Sequence, residues 1–242
     1  MDDPAAARRL LPAAFRYSFP VFLGYIAIGI AFGLFAVERG YPWYLAVVTG
    51  IVMYTGAGQF IALGLFAAGA PLLEAAAVEF VVNARHMAYG ISMLRRFRGA
   101  GPFRWYLIFA LTDETFALLS SLPKKPKPGD PAIRFMFLVS LLNHIYWNAG
   151  ILAGALAGSL IPWNLEGIGF ALTALFIVLM IEQYLRVRRI LPFAVSVLAA
   201  LAAVFLLPGK LSARLSLLCG LILSMGLVQL VESRRRTRED PC

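Results

Sequence analysis

Apolar residues run through this chain in long blocks that charged residues interrupt only at intervals. Residues 18–37 and 41–73 are uncharged, residues 75–94 are apolar apart from a few ionisable positions, and residues 105–122 are apolar around one acidic pair. Residues 135–165 hold a single ionisable group, His144, and residues 167–181, 190–209 and 215–231 are again uncharged. A hydrocarbon layer about 30 Å thick is crossed by about 20 apolar helical residues, so the pattern predicts eight hydrophobic segments. Continuous runs favour helices over a membrane β-barrel, whose strands are short and alternate. The fold class expected is all-α: a polytopic integral membrane helix bundle of six to eight transmembrane segments. Residues 1–242 are read as a single transmembrane domain.

Composition agrees. Apolar residues make up 60% of the chain and charged residues only 14%, against roughly a quarter charged in soluble domains. Mean hydropathy is +0.77. There is too little polar surface to clothe a soluble domain, and the same numbers exclude disorder. Two cysteines, Cys219 and Cys242, offer no disulfide framework.

The net charge of +9 is clustered. Arg8, Arg9 and Arg16 lie in the segment 1–17, ahead of the first run, which is too long for a signal-peptide core and is read as a retained anchor. Positive charge marks the cytoplasmic side, so the N-terminus is expected inside. On an eight-crossing path, Lys124, Lys125, Lys127 and Arg134 also fall inside. So do Arg186, Arg188 and Arg189, and the basic tail 232–242, which makes both termini cytoplasmic. Arg95, Arg96, Arg98 and Arg104 fall on the wrong side of that path. The conflict disappears if an early segment, and also the segment after this cluster, do not cross fully. The stretch Thr55-Gly56-Ala57-Gly58-Gln59 interrupts the second run, so at least one segment is expected to be broken or re-entrant. The basic excess is read as an orientation signal and lipid contact, with no nucleic-acid partner.

Polar groups at membrane depth carry the chemistry. Each ionised side chain there costs about 2.5–3.5 kcal/mol on the insertion scale, so some of Glu79, Arg85, Asp113 and Glu114 must pair or line water. Glu79, Asn83, His86 and Gly90 are spaced four, three and four, which is one stripe on a helix, with Arg85 beside it. Asp113 and Glu114 are adjacent and would point about 100° apart on a helix. One can pair with Arg85, and the other, desolvated, can carry a proton. Ser140, His144 and Asn148 form a further stripe, flanked by Asn143 and Trp147. Each stripe reads either as a polar network that fixes helix packing or as part of a substrate or proton path. Gly56 and Gly58 suit an unwound turn whose backbone groups are tolerated only against protein or a wet cavity. Gly29, Gly33, Gly150, Gly154 and Gly158 suit close helix contact. A faint echo links Gly29–Gly33 with Gln59-Phe60, and Gly154–Gly158 with Gln183-Tyr184, as in transporters built from two repeats.

Two distant histidines and no cysteine pair predict no metal site. No P-loop and no Gly-x-Ser-x-Gly elbow occur. No cofactor and no enzymatic activity are expected.

Three motifs form an ordered set: Gly56-Ala57-Gly58-Gln59-Phe60, Asn83-Ala84-Arg85-His86 and Thr112-Asp113-Glu114-Thr115-Phe116. Together they resemble the AzlC family, the large subunits of branched-chain amino acid exporters, over nearly the whole chain. The resemblance implies a secondary exporter of leucine, isoleucine, valine and often methionine in the bacterial inner membrane. It also implies a small hydrophobic partner subunit of the AzlD type. Two departures stand out: Gly58 replaces an expected serine, and Gly169 an expected aspartate. A site for such a zwitterion needs a cationic or N–H-rich end, an anionic or carbonyl-rich end and an apolar pocket. Arg85 and the amides near Gly56–Gly58 are expected to hold the carboxylate, and Asp113 or Glu114 the ammonium or the coupling proton. Gln59, Asn83 and His86 complete the substrate-binding set. Glu79 and His144 join Asp113 and Glu114 as proton-coupling candidates, and Phe60, Met87 and Phe116 are the candidate tail pocket. A channel, or a non-transporting structural subunit, is the alternative.

Overall fold

The computed structural model describes residues 4–122 and 130–160 and scattered residues between 177 and 202, with side chains from Leu10 onward. Contacts group the chain into two units, residues 1–172 and 173–242. Among the described residues every regular element is a helix. In the second unit, Tyr184 meets Phe193 edge-on at 5.6 Å. Of the last three expected segments, 167–181 and 190–209 are described only at scattered residues, and 215–231 lies outside the described residues, as does the Gln183 end of the internal echo.

The first unit is framed by two long helices, α1 (Pro4–Glu38) and α7 (Pro131–Leu160). Among the described residues these two alone are long and apolar enough, over Leu10–Glu38 and Pro131–Leu160, to cross a membrane by length and composition. They pack in parallel through glycines. A methyl group added at Gly29 would lie 2.8 Å from the Trp147 carbonyl, and one at Gly150 would lie 2.8 Å from the Ile26 carbonyl. Gly33 and Gly154 meet the facing backbone more closely still, and Gly158 packs on Val37. Without side chains the two backbones approach closely, and dispersion and weak hydrogen bonding replace the missing bulk.

Between them the chain makes two helical hairpins around one longer helix, α4 (Leu72–Met93). The first hairpin is α2 (Trp43–Val52) and α3 (Ala57–Ala67). Its tip reaches the middle of the frame, where the Tyr54 ring lies 4.3 Å from that of His144. Then α3 turns back, so that Phe60 packs on Phe32 and Phe35 toward the C-terminal end of α1. The turn is a backbone device: Tyr54 (φ 45°) and Gly56 (φ 59°) both take left-handed conformations. Glycine adopts that region freely, whereas a tyrosine there is strained.

The second hairpin is α5 (Phe103–Phe109) and α6 (Asp113–Ser120). It enters from the opposite end. Phe103 packs on Phe137 and Phe109 on His144, so α5 climbs α7 to the same middle level. Then α6 descends until the Tyr17 hydroxyl bonds the Leu118 carbonyl at 2.9 Å and Ser121 at 2.7 Å. The fourth hydrophobic segment is therefore not one helix with Asp113 and Glu114 at its centre, as expected from sequence. Thr112 is extended (φ −81°, ψ 173°) and its hydroxyl accepts the Thr115 N–H at 3.2 Å. Thr-Asp-Glu is thus a cap followed by an acidic first turn, a helix start rather than a helix middle.

At the end where α5 enters, Phe97, Ala100, Leu119, Ile133, Met136 and Ala14 share one apolar core. Arg96 donates to the Leu119 and Leu122 carbonyls, closing the C-terminus of α6. The Arg95–Arg104 turn, the start of α7 with Arg134 and the N-terminal part of α1 thus lie at one end of the unit.

Candidate functional site

The two hairpin tips meet α4 and the α1–α7 frame at mid-height, and three polar groups assemble there. In the first, Arg85 Nη1 of α4 pairs with Asp113 Oδ2 of α6 at 2.9 Å, and the Tyr89 hydroxyl donates to Asp113 Oδ1 at 2.7 Å. Both carboxylate oxygens are thereby engaged. The pair is not sealed: Arg85 is 42% and Asp113 29% exposed. His86 stands with its ring 5.9 Å from that of Tyr89.

The second group is buried except at Glu114, which is half-buried. The Tyr25 hydroxyl of α1 donates to Glu114 Oε2 at 2.7 Å and bonds Thr112 Oγ1 at 2.6 Å. Thr112 bonds Thr115 at 3.0 Å, and Thr115 Oγ1 accepts from Asn143 Nδ2 of α7 at 3.0 Å. Glu114 is thus tied through hydroxyls to both frame helices, while its neighbour Asp113 faces α4. The expected divergence of the two carboxylates holds, although they diverge from a helix cap.

The third group surrounds Gly58. A Cβ added there would lie 2.6 Å from Glu79 Oε2 and 3.0 Å from Asn83 Nδ2, with Thr55 Oγ1 closer still. Asn83 Nδ2 donates to Glu79 Oε2 at 2.7 Å, joining two members of the expected stripe.

Other expected residues are placed differently. Gln59 is fully buried and works within the frame, accepting from the Trp147 indole at 2.8 Å and reaching Thr49 at 3.4 Å. His144 bonds the Tyr106 hydroxyl through Nδ1 at 3.1 Å and underlies Tyr54, so it sits between the hairpin tips and away from Arg85's partners. Gly56 supplies the left-handed turn. Ser140 and Asn148 bond carbonyls of their own helix, and the flanking row, Asn143 and Trp147, makes the contacts across helices. The three candidate tail residues do not converge: Phe60 packs against α1, Met87 is exposed, and Phe116 stacks on Tyr89 at 4.4 Å. Among the described residues, a Cβ added at Gly90 would meet only Ile108, at 3.9 Å, an ordinary contact.

Sequence reasoning missed the tyrosines. Tyr25, Tyr54 and Tyr89 lie in runs that hydropathy counts as apolar. Their signal is that a buried phenol needs a hydrogen-bond partner, so tyrosines within predicted spans mark where polar groups gather.

Comparison with known proteins adds an independent line. The family model described as AzlC protein matches residues 20–161. An uncharacterized membrane protein of Helicobacter pylori (strain J99) is 44% identical over 173 residues, covering 72% of this chain and 75% of that one. The branched-chain amino acid transport protein AzlC of Bacillus subtilis (strain 168) is 37% identical over 179 residues, covering 73% and 69%. The inner membrane protein YgaZ of Escherichia coli (strain K12) is 27% identical over 232 residues, covering 92% and 93%. No solved structure matches the chain.

Proposed function

The chain belongs to the AzlC family, and on that premise we propose that it is a multi-pass inner-membrane transporter that exports branched-chain and related aliphatic amino acids, methionine among them, in exchange for protons. A small hydrophobic AzlD-type subunit completes it. Both termini are cytoplasmic.

The observation that carries the reading is the half-exposed Arg85–Asp113 pair at a hairpin tip. An ion pair facing lipid would be costly at both partners, so this face of α4 and α6 belongs to a hydrated route. The topology is supported by the parallel frame. Two parallel spanning helices require the chain between them to return across the layer, and α4, with 22 residues, is about 33 Å long; it is less apolar than the two frame helices because it carries Glu74, Glu79 and Arg85. The hairpins, of 10 and 11 and of 7 and 8 residues, are too short per arm to span and serve as re-entrant elements. On this path Arg95, Arg96, Arg98 and Arg104 join Arg16 and Arg134 on the cytoplasmic side, in keeping with the positive-inside rule.

Arg85 is the cation for the substrate carboxylate, assisted by the open backbone near Gly56 and Gly58. Asp113 holds Arg85 in place and competes for it. His86, Gln59 and Asn83 orient the surrounding groups. A carboxylate that holds either the substrate ammonium or a proton, but not both, makes exchange obligatory. Asp113, Glu114 and Glu79 are the candidates, with His144 as a relay between the tips. The apolar tail adds only about 1–3 kcal/mol of discrimination per methylene, so several aliphatic amino acids should be carried with similar efficiency.

Efflux of preloaded leucine, valine and methionine from cells with and without both subunits tests the proposal. Efflux should require both subunits, accelerate when the outside is made more acidic, and slow when a protonophore collapses the gradient. Equal efflux with and without the chain overturns it.

A further inference from the structure

We infer that Thr55, Glu79 and Asn83, closed over Gly58, form a binding site for a monovalent cation, supplied either by an alkali ion or by the ammonium group of the amino-acid substrate. For its second source the inference rests on the transport reading; for its first it does not.

Glu79 and Asn83 are one helical turn apart on α4, and the bond from Asn83 Nδ2 to Glu79 Oε2 uses the amide's donor end. What remains is rich in acceptors. Among the described residues, Glu79 Oε1, Asn83 Oδ1 and Thr55 Oγ1 are all buried from solvent and have no hydrogen-bond partner. Buried polar atoms are almost always satisfied in a folded protein, and each exception calls for a cause such as an ion. Gly58 shows that the three side chains belong to one place: the point where its Cβ would stand is in contact range of Thr55 Oγ1, Glu79 Oε2 and Asn83 Nδ2 at once, and the free Glu79 Oε1 and Asn83 Oδ1 are the second atoms of the same carboxylate and amide. They come from two elements, since Thr55 belongs to the strained turn between α2 and α3. The convergence is therefore tertiary and not a helix-surface accident.

The donor set selects the ligand. A carboxylate oxygen, an amide oxygen and a hydroxyl are the ligands that hard cations take, and the same three oxygens can accept the three N–H bonds of an ammonium. A single carboxylate balances a single positive charge. Among the described residues no basic side chain pairs with Glu79, and the one salt bridge there takes Arg85 to Asp113. Asp113 has both oxygens occupied and Glu114 is held by Tyr25, so Glu79 is the carboxylate best able to take a mobile cation.

The test uses the full chain purified in detergent and reads the thermal-unfolding midpoint at constant ionic strength. Sodium and potassium chloride are titrated against N-methylglucamine chloride. Leucine and leucine methyl ester, which keeps the ammonium, are compared with N-acetylleucine, which lacks it. A saturable rise with sodium or potassium assigns the alkali ion. A rise with leucine and its methyl ester but not with N-acetylleucine assigns the ammonium. Either response should weaken at least tenfold in apparent affinity in Glu79→Gln and in Thr55→Val, and persist in Ser92→Ala. If Glu79→Gln does not fold, Thr55→Val decides, because it removes one oxygen at nearly constant shape. No specific response in the native chain, or an undiminished one in Thr55→Val, overturns the site. An alkali response without leucine efflux removes the transport reading and leaves the site standing; efflux without any cation or ammonium response does the reverse.

Discussion

The two hairpins reach the same level of the molecule by different means. The α2–α3 tip is bent by its backbone, with Tyr54 and Gly56 in left-handed conformations, and carries no charge of its own. The carboxylate beside it, Glu79, comes from α4. The α5–α6 tip is bent by a side-chain cap, Thr112, and brings its own carboxylates, one fastened to Arg85 and the other to Tyr25. On the proposal above, one tip is a receptor that leaves oxygens open among the described residues, and the other a latch whose groups are already engaged. Strain suits the first, because a left-handed turn exposes backbone that a regular helix would hide. A cap suits the second, because the helix N-terminus favours the acidic turn it begins.

That contrast can be broken at the latch first. Arg85→Ala and Asp113→Asn should each lower leucine efflux by more than about tenfold at unchanged protein level, since the first removes the cation proposed for the substrate carboxylate and the second the charged hydrogen-bond partner that positions it. Efflux beside quantitative membrane immunoblotting measures it; wild-type rates in either variant would show that the latch takes no part. At the α2–α3 tip, Gly56→Ala should destabilise the chain by about 1–3 kcal/mol, the cost of a sparsely populated positive-φ conformation, seen as a lowered unfolding midpoint. Thr112→Val should cost about 1 kcal/mol through the lost cap, and Thr112→Ser should recover most of it. If Val and Ser behave alike, the cap does not hold the second tip. The smallest effect is expected at Ser140→Ala, about 0.5 kcal/mol, because among the described residues its hydroxyl bonds only the Met136 carbonyl of its own helix.

Much of the candidate site was legible in the one-dimensional pattern, and what was missed has a physical cause. Glu79 and Asn83 could be paired from their spacing, because i and i+4 share a helix face. A partner for Arg85 was foreseeable because a guanidinium at that depth needs one. The charge conflict around Arg95–Arg104 pointed to two interrupted segments, and the structure divides both into pairs of short helices. By contrast, the placement of the Thr112 cap within an apolar run escaped periodicity, which sees composition and not hydrogen bonds. Tyr25 escaped too, since a phenol that joins Glu114 to Thr112 looks apolar until its neighbours are known.

The sequence by itself determined the class of this protein, its helical character and which glycines suit close helix contact, because hydrophobic run length and the absence of a side chain are local properties; that those glycines join α1 to α7 was decided by the tertiary structure. Only the tertiary structure decided which carboxylate is engaged and which is open. Asp113, Glu114 and Glu79 are chemically near-equivalent along the chain. They become different only when Arg85 and Tyr89, Tyr25, or Asn83 and the bare face of Gly58 are brought against them.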